Sequence, residues 1–246
     1  MHIYQIIIEY DGTNFSGWQI QKKENSVQET IEKILTKILK VKIKLYGSGR
    51  TDSGVHAIEQ SAHFASKLII NNTFVFLNSI NFFLKKESIA ILSLKKKKEN
   101  FHSRYSATKR KYKYIIINRI APLSLDSNRA WHIKTKLNID LMKRGAKLLL
   151  GTKDFSTFRS SSCNAKTPIK TLQEVDIKKK NNSIEIVFTS KSFLQQQVRS
   201  MVGCLKFVGE EKWSLKQFRD IINSKKRIKC APPAPPCGLY LMKVLY

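Results

Sequence analysis

The stretch Gly47–Ala57, GSGRTDSGVHA, is the most unusual segment of the sequence. It holds three glycines within eight residues, and glycine permits positive φ angles and a close approach of the backbone to a ligand. It has no GKS or GKT, so it is not a phosphate-binding P-loop. If the loop is extended, the side chains of Arg50 and Asp52 project to the same side. On these residues alone, a turn closed by Asp52 is one interpretation and a functional site is the other.

Strands and helices alternate on both sides of this loop. The box SVQE at 26–29 opens a helix that carries apolar residues at helical spacing as far as Lys40. Apolar, β-branched runs bounded by turn residues predict strands. The predicted order of the first half is a strand at His2–Tyr10, that helix, a strand at Val41–Tyr46, the loop, a strand at Ile58–Phe64, a helix at Thr73–Phe83 and a strand at Ile89–Leu94.

The second half repeats the pattern loosely. Its long first strand, Ser106–Asn118, places Tyr112 and Tyr114 on one face and Lys111 and Lys113 on the other. Further elements are predicted as a helix from the Asn138 cap to Leu150, a hairpin of Leu172–Lys178 and Ser183–Thr189, helices at Phe193–Gly209 and Ser214–Asn223, and a strand at Leu239–Tyr246.

The pattern as a whole predicts an α+β protein with two similar α/β halves, residues 1–105 and 106–246. We expect mixed, mainly antiparallel sheets that form a basic cleft between the halves. The chain has 246 residues, of which 42% are hydrophobic, so it has enough apolar material for a core and is not disordered throughout.

The charge indicates an anionic partner. The chain has 45 Lys and Arg against 18 Asp and Glu, a net charge of +27, which favours nucleic acid first and an acidic membrane second. No apolar run approaches the roughly 20 residues of a membrane-spanning helix. The start, MHIYQIIIEYDG, lacks the features of a signal peptide. We therefore expect a soluble cytoplasmic protein that handles nucleic acid.

An A/T-rich coding bias is an alternative source of part of this charge, because 35 of the basic residues are Lys and only 10 are Arg. The charge is nevertheless uneven along the chain. Residues 101–150 carry 12 basic and 2 acidic side chains, a net of +10, whereas residues 1–50 carry 8 and 5, a net of +3. This difference favours a basic surface near residues 101–119.

Metal binding and disulfides are not expected. No two of the four cysteines have the spacing of a zinc site, and the spacing of His56, His63 and His102 matches no ligand pattern. We interpret Cys163, Cys204, Cys230 and Cys237 as reduced thiols.

Six ordered blocks give the chain a family resemblance. GRTDSGVHA at 49–57 closely resembles the signature of the TruA-type tRNA pseudouridine synthases, although Ser53 stands where alanine is frequent. The other blocks that resemble this family are YDGTNFSGWQIQ at 10–21 with SVQE at 26–29, FHSRYSATKRKYKY at 101–114, DFSTFR at 154–159, FLQQQVRSMVG at 193–203 and GLYLMKVLY at 238–246.

The resemblance implies the pseudouridine synthase fold and an isomerase that converts uridine to pseudouridine at positions 38, 39 and 40 of the tRNA anticodon stem-loop. It implies that Asp52 is the catalytic carboxylate, which either adds to the sugar carbon or abstracts a sugar proton. Arg199 matches the arginine that keeps this carboxylate ionised. Arg50 matches the residue that replaces the expelled nucleotide, and Tyr112 and Leu239 match the two uracil contacts.

The resemblance also concerns partners. It implies tRNA as substrate, a homodimer, and no cofactor or metal. Phosphate contacts are expected from the basic side chains beside Tyr112, namely Lys109, Arg110, Lys111 and Lys113. The rival hypothesis is a non-catalytic RNA-binding protein with the same fold, which would need only the basic surface and not the set Asp52, Arg199 and Tyr112.

Overall fold

The computed structural model describes residues 1–22 and 24–246. In this part of the chain, no helix is both long enough and apolar enough to cross a membrane. The elements in chain order are β1 (His2–Tyr10), α1 (Val27–Leu39), β2 (Leu45–Gly47), β3 (His56–Ser66), α2 (Thr73–Leu84), β4 (Ile89–Lys97), β5 (Lys109–Asn118), β6 (Trp131–Ile133), α3 (Ile139–Leu149), β7 (Gly151–Asp154), β8 (Ile169–Lys180), β9 (Ser183–Ser190), α4 (Gln197–Gly209), α5 (Leu215–Ser224) and β10 (Leu239–Leu245).

The chain packs as two compact units. The first unit combines Met1–Thr108 with the last residues, Tyr240–Tyr246, and the second is Lys109–Leu239. The predicted division into two similar halves, residues 1–105 and 106–246, stays a prediction.

In the first unit the strands follow the order β4-β1-β3-β10, and β2 pairs with the far end of β3. All these pairs are antiparallel except β3 with β10, where Tyr240 lies beside His56. The loop between β2 and β3 therefore joins two strands that pair with each other, so both of its ends are held in the same sheet.

Helix α1 confirms the predicted capping and periodicity. The Ser26 hydroxyl accepts a hydrogen bond from the Glu29 amide at 3.3 Å, which satisfies one of the unpaired donors of the first turn. The residues at helical spacing, Val27, Ile31 and Leu35, are completely buried. Burial of this stripe, rather than intrinsic propensity, stabilises the helix.

In the second unit the strands follow the order β5-β9-β8-β7, with β6 parallel to β5 and the other pairs antiparallel. The predicted hairpin is confirmed as β8 and β9, with Asn181 at a φ of 52° in its turn. Each unit thus has a mixed, mainly antiparallel sheet, which confirms the α+β class.

Two predicted strands are too long. Val41–Tyr46 was expected as a strand, but β2 begins only at Leu45, because the Ile43 amide donates to the Thr36 hydroxyl at 3.1 Å instead of to a neighbouring strand. The strand expected from Ser106 begins at Lys109, because the Ser106 amide closes a turn on the His102 carbonyl at 2.9 Å.

The helix expected from Phe193 begins only at Gln197. The residue before it, Gln196, has a φ of 60°, which interrupts a right-handed helix. The Gln197 side chain accepts from the Leu194 amide at 2.8 Å, so a hydrogen-bonded turn replaces the first helical turn. The short strands β6 and β7 were not predicted, because runs of three and four residues carry too little periodicity.

Candidate active site

The loop that carries Asp52 is fixed to β3 at its start. The Ser48 amide donates to the Ser61 carbonyl at 2.8 Å, and the Ser48 hydroxyl donates to Gln60 Oε1, also at 2.8 Å. The Gln60 amide group in turn donates to the Gly49 carbonyl at 2.9 Å. Because Gln60 is fully buried, these contacts exclude water and fix the loop backbone up to Arg50.

A second segment, Asp11–Trp18, lies against the middle of the loop. The Trp18 amide donates to the Thr51 carbonyl at 3.1 Å, and the Gly54 amide donates to the Phe15 carbonyl at 3.3 Å. The Ser53 hydroxyl donates to the same Phe15 carbonyl at 3.2 Å. The residues on either side of Asp52 are therefore held by hydrogen bonds to one segment.

Glycines allow the two backbones to approach this closely. Gly17 has a φ of +106°, and a Cβ there would lie 2.6 Å from the Thr51 carbonyl oxygen. Gly12 would place a Cβ only 2.0 Å from the Val55 carbonyl oxygen. Gly54, with a φ of 74°, completes a turn in which the Val55 amide donates to the Asp52 carbonyl at 3.2 Å. Larger residues at these positions would force the segments apart.

The arginine and the carboxylate of this loop differ in exposure. Asp52 is half-buried, whereas Arg50 is exposed and its Nε donates to the Gln19 side chain at 3.1 Å. Arg50 therefore sits at the surface of the unit, with its guanidinium directed by a residue of the block that follows Trp18.

The three histidines that were considered as metal ligands are held by hydrogen bonds and ring contacts within the first unit. His56 is buried, its Nδ1 accepts from the Gly12 amide at 3.0 Å, and its ring stacks on Tyr240. His63 and His102 lie edge to face with each other, 4.6 Å between ring centres. Within the described residues, no group of three or more His, Cys, Asp or Glu side chains could hold a metal ion.

The second unit holds the other predicted site residues. Tyr112 and Tyr114 lie on the buried face of β5, as predicted, and the Tyr112 ring meets Phe193 edge-on with 5.2 Å between centres. The Tyr114 hydroxyl donates to the Pro235 carbonyl at 2.7 Å. Burial raises the pKa of Tyr114 well above its usual value, and the charge of Arg199 offsets only part of this rise. Tyr114 therefore keeps its proton and acts as a structural donor.

Arg199 lies in the first turn of α4 and is half-buried. Its Nε donates to the Ala234 carbonyl at 2.8 Å, and the Ala234 amide donates back to the Arg199 carbonyl at 3.0 Å. The proline-rich segment 231–237 lies so close to α4 that a Cβ on Gly203 would be 2.1 Å from the Pro232 carbonyl oxygen. This segment therefore orients the guanidinium of Arg199.

Leu239 is positioned by the residue before it. A Cβ on Gly238 would lie 2.7 Å from Cζ of the Tyr114 ring, so the chain passes directly over that ring as it enters β10. Leu239 itself is 6% exposed. Tyr114 thus supports both the proline-rich segment and the backbone next to Leu239.

The four basic residues predicted to contact phosphate differ in their surroundings. Lys109 is exposed. Lys111 Nζ lies 3.5 Å from Glu174 and Lys113 Nζ lies 3.5 Å from Glu185.

Arg110 lies on the buried face of β5 and is 8% exposed. Its Nη1 donates to the Lys191 carbonyl.

The structure thus groups the predicted site residues by unit. Arg50 and Asp52 share one loop of the first unit, and Tyr112, Arg199 and Leu239 belong to the second. Sequence reasoning missed the residues that hold them, chiefly Phe15, Thr51 and Gln60 in the first unit and Ala234 in the second. The sequence features that point to these supporting residues are the glycines of YDGTNFSGW and the prolines before Gly238.

Comparison with known proteins identifies the family of this chain. The family described as tRNA pseudouridine synthase matches residues 6–106 and 146–246, one segment for each similar half. The chain is 61% identical over 246 residues to tRNA pseudouridine synthase A of Pelagibacter ubique (strain HTCC1062), with all of both chains covered.

More distant relatives also match over nearly the full length. The protein of the same name from Ehrlichia chaffeensis (strain ATCC CRL-10679 / Arkansas) is 45% identical over 245 residues, with 99% of each chain covered. That of Maricaulis maris (strain MCS10) is 42% identical over 243 residues, with 99% of this chain and 97% of the relative covered. The chain therefore belongs to the tRNA pseudouridine synthase family, which confirms the family resemblance.

Alanine substitutions at two glycines, Gly17 and Gly151, test whether the Asp11–Trp18 segment positions Asp52. Gly17→Ala adds a Cβ against the Thr51 carbonyl, so we expect pseudouridine formation in tRNA to fall roughly 100-fold, the cost of a displacement of about 1 Å at a reacting group. The rate is measured by product mapping under single-turnover conditions.

Gly151→Ala is the matched control for this change. Gly151 has a similar φ of +94°, but its Cβ would meet no atom within 4 Å. We expect a loss of stability of roughly 1–2 kcal/mol with unchanged turnover. Equal turnover by the two variants would show that the segment does not position the loop.

Proposed function

We propose that this protein is an isomerase that converts uridine to pseudouridine at positions 38, 39 and 40 of the tRNA anticodon stem-loop. The observation that carries the proposal is the half-buried Asp52, held on both sides by the Asp11–Trp18 segment in a chain of this family. A rigid backbone around one carboxylate is the arrangement expected of a group that must act at a defined atom.

The reaction is balanced without any co-reactant. The bond from the sugar carbon to uracil N1 breaks, the uracil turns, and the same sugar carbon forms a bond to uracil C5, whose proton moves to solvent while N1 gains one. Asp52 serves this reaction either as the nucleophile at the sugar carbon or as the base that removes a sugar proton. Both roles require an ionised carboxylate.

We propose that Arg199 keeps the Asp52 carboxylate ionised. A nearby guanidinium lowers a carboxylate pKa by roughly 1–3 units, and its planar fork matches the carboxylate geometry. The Ala234 carbonyl holds Arg199 Nε, so the orientation of the fork is set before substrate binds. The match to the family's arginine block supports this role.

Tyr112 and Leu239 are proposed to contact the two faces of the uracil. An aromatic ring stacked on a base contributes about 1–3 kcal/mol. The edge-on contact with Phe193 fixes the plane of the Tyr112 ring, and the passage of Gly238 over Tyr114 fixes the position of Leu239.

Arg50 is proposed to occupy the place of the expelled nucleotide. Base flipping costs a few kcal/mol, least at loops and helix ends, and the anticodon stem-loop offers both. The exposure of Arg50 and its hydrogen bond to Gln19 favour a side chain that is directed outward before RNA binds.

Phosphate contacts are proposed for Lys109, Arg110, Lys111 and Lys113. Exposure makes Lys109 the best placed of them. Lys111 and Lys113 would each have to give up a contact with a glutamate. Arg110, which is 8% exposed, is the least accessible of the four. Such contacts hold RNA without reading its sequence, which suits an enzyme that modifies neighbouring positions in many tRNAs.

We also propose that the protein acts in the cytoplasm, as a homodimer, with no membrane partner and without a cofactor or metal. These proposals rest on the family resemblance and on the balance of the reaction, which needs no external electron carrier or activated group.

Replacement of Asp52 tests the catalytic assignment. Asn is nearly the same size as Asp and keeps one acceptor oxygen, but it cannot act as an anionic nucleophile or base. We expect Asp52→Asn to bind unmodified tRNA at least as well as the wild type, because phosphate contacts dominate affinity, and to form no detectable pseudouridine. Filter binding and pseudouridine mapping on the same RNA give both results.

Glu59→Gln is the charge-matched control. It removes one carboxylate from the same unit, where Glu59 pairs with Lys243 at 3.4 Å. It should retain turnover. Wild-type turnover by Asp52→Asn would exclude Asp52 as the catalytic group, and a wild-type protein that binds tRNA without modifying it would favour the RNA-binding alternative.

Arg199→Lys tests the second arginine. Lysine keeps the charge but loses the planar fork, so we expect turnover to fall about tenfold or more with little change in tRNA affinity. Arg219→Lys, at an exposed position of α5, is the control and should turn over like the wild type. If Arg199→Lys also retains full turnover, Arg199 does not orient the carboxylate.

A further inference from the structure

Four aromatic rings of the first unit are in contact with one another, and within the set His63 and His102 also meet edge to face at 4.6 Å. We call the set His63, Tyr46, His102 and Tyr105 the ring column. The His63 and Tyr46 rings stack with 5.2 Å between centres and an angle of 20°. Tyr46 and His102 follow at 5.8 Å, and His102 and Tyr105 at 4.4 Å.

The ring column runs from the interior to the surface. His63 is 6% exposed, Tyr46 is 40% exposed and Tyr105 is 75% exposed. A tyrosine ring that is three-quarters exposed offers a flat apolar surface to solvent, although its inner side is supported by another ring. The set of rings therefore ends in an exposed ring on which a further flat group can stack.

Backbone contacts hold the inner rings in place. Ser103 is fully buried, and its amide donates to His63 Nδ1 at 3.1 Å while its hydroxyl donates to the Tyr46 carbonyl. The amides of Arg104 and Tyr105 point at His102 Nδ1, at 3.1 and 3.4 Å. The three rings that support Tyr105 are therefore ordered before any ligand binds, which reduces the entropy lost on binding.

The histidines of the ring column are neutral at physiological pH. Burial lowers the pKa of His63 to about 4, and it also lowers the pKa of His102. Because Nδ1 of each ring accepts a hydrogen bond from a backbone amide, the neutral form is also the one that the geometry requires. The column therefore presents apolar faces and not a charge cluster.

Cations lie over the exposed rings. Lys44 Nζ lies 5.3 Å from the centre of the Tyr46 ring, and Arg104 Cζ lies 5.6 Å from the centre of the Tyr105 ring. Exposed aromatic rings with Lys and Arg beside them are the usual means by which proteins bind unpaired nucleotides, with the base on the ring and the phosphate near the cation. An apolar protein partner would not need these cations.

His63 lies near one end of β3, and His56, where the Asp52 loop enters the strand, lies at the other end. His56, at the Asp52 loop, and His63, in the ring column, are seven residues apart on β3, which corresponds to about 23 Å at roughly 3.3 Å per residue. Tyr105 is linked to the His63 end of the strand through His102, so we assign a base bound on Tyr105 to a second nucleotide of the same RNA.

We propose that the exposed ring of Tyr105, together with the Arg104 guanidinium that lies over it, stacks an unpaired base of the tRNA other than the target uracil. This inference rests on tRNA being the substrate. The site would recognise a base by its π-face and a phosphate by its charge, so it would select unpaired RNA without selecting its sequence.

Substitution at Tyr105 tests the proposal through binding. We expect Tyr105→Ala to weaken tRNA binding roughly 5- to 150-fold at fixed salt, the range that one stacked base corresponds to, with no change in the salt slope. Arg104→Ala should instead reduce the salt slope by about 1. Tyr105→Trp should restore or exceed wild-type affinity, because only the flat ring is required.

Phe74→Ala is the matched control. Phe74 is 69% exposed on α2, a helix without a charged residue, so its loss should leave tRNA affinity unchanged. Wild-type affinity in Tyr105→Ala would overturn the proposal. So would a Tyr105→Trp variant as weak as Tyr105→Ala, since that result would assign the role to the hydroxyl group.

A fluorescence measurement separates stacking from charge. In Tyr105→Trp, a single-stranded oligouridylate should quench the added indole emission, and inorganic polyphosphate should not. Quenching by both would overturn stacking. The tRNA affinities of Asp52→Asn and of the double variant Asp52→Asn/Tyr105→Ala distinguish the two proposals. If Asp52 is not the catalytic group, the double variant still binds tRNA more weakly than Asp52→Asn. If Tyr105 does not stack a base, the two variants bind tRNA equally well.

Discussion

Two backbone hydrogen bonds, from the Trp18 amide to the Thr51 carbonyl and from the Gly54 amide to the Phe15 carbonyl, hold the Asp52 loop in one conformation. A glycine-rich loop alone would sample many conformations, and the carboxylate would then be misplaced for most of the time. The second segment removes this freedom through hydrogen bonds to the residues on either side of Asp52. The glycines therefore provide close packing in this loop and not flexibility.

In the second unit, main-chain atoms of a neighbouring segment likewise hold Arg199. Gly203 allows the proline-rich segment to lie on α4, and the Ala234 carbonyl holds the guanidinium. The next carbonyl, that of Pro235, accepts from Tyr114. Prolines suit this segment because they restrict the backbone while their carbonyls remain available as acceptors. Each unit thus fixes its charged residue through main-chain atoms of a neighbouring segment.

The features that could be predicted from the sequence are those that depend on residues close together along the chain. The capping box of α1 and the alternation of Tyr112 and Tyr114 are local signals, and both are confirmed. The early start expected for α4 was wrong, because the conformation of Gln196 depends on a side-chain contact that no periodicity reveals. The contacts of Phe15 with the Asp52 loop join residues 38 positions apart, as the Ser53 hydroxyl bond illustrates, so they too had no local signature.

Amide hydrogen exchange tests most directly whether the Asp52 loop is held by the Asp11–Trp18 segment. Exchange of the Trp18 and Gly54 amides can be followed in the free protein by nuclear magnetic resonance and compared with amides in the centre of β3. We expect both amides to exchange as slowly as those of the strand, and Gly17→Ala to accelerate the exchange of both. Exchange of the wild-type amides at the rate of an unstructured loop would contradict it.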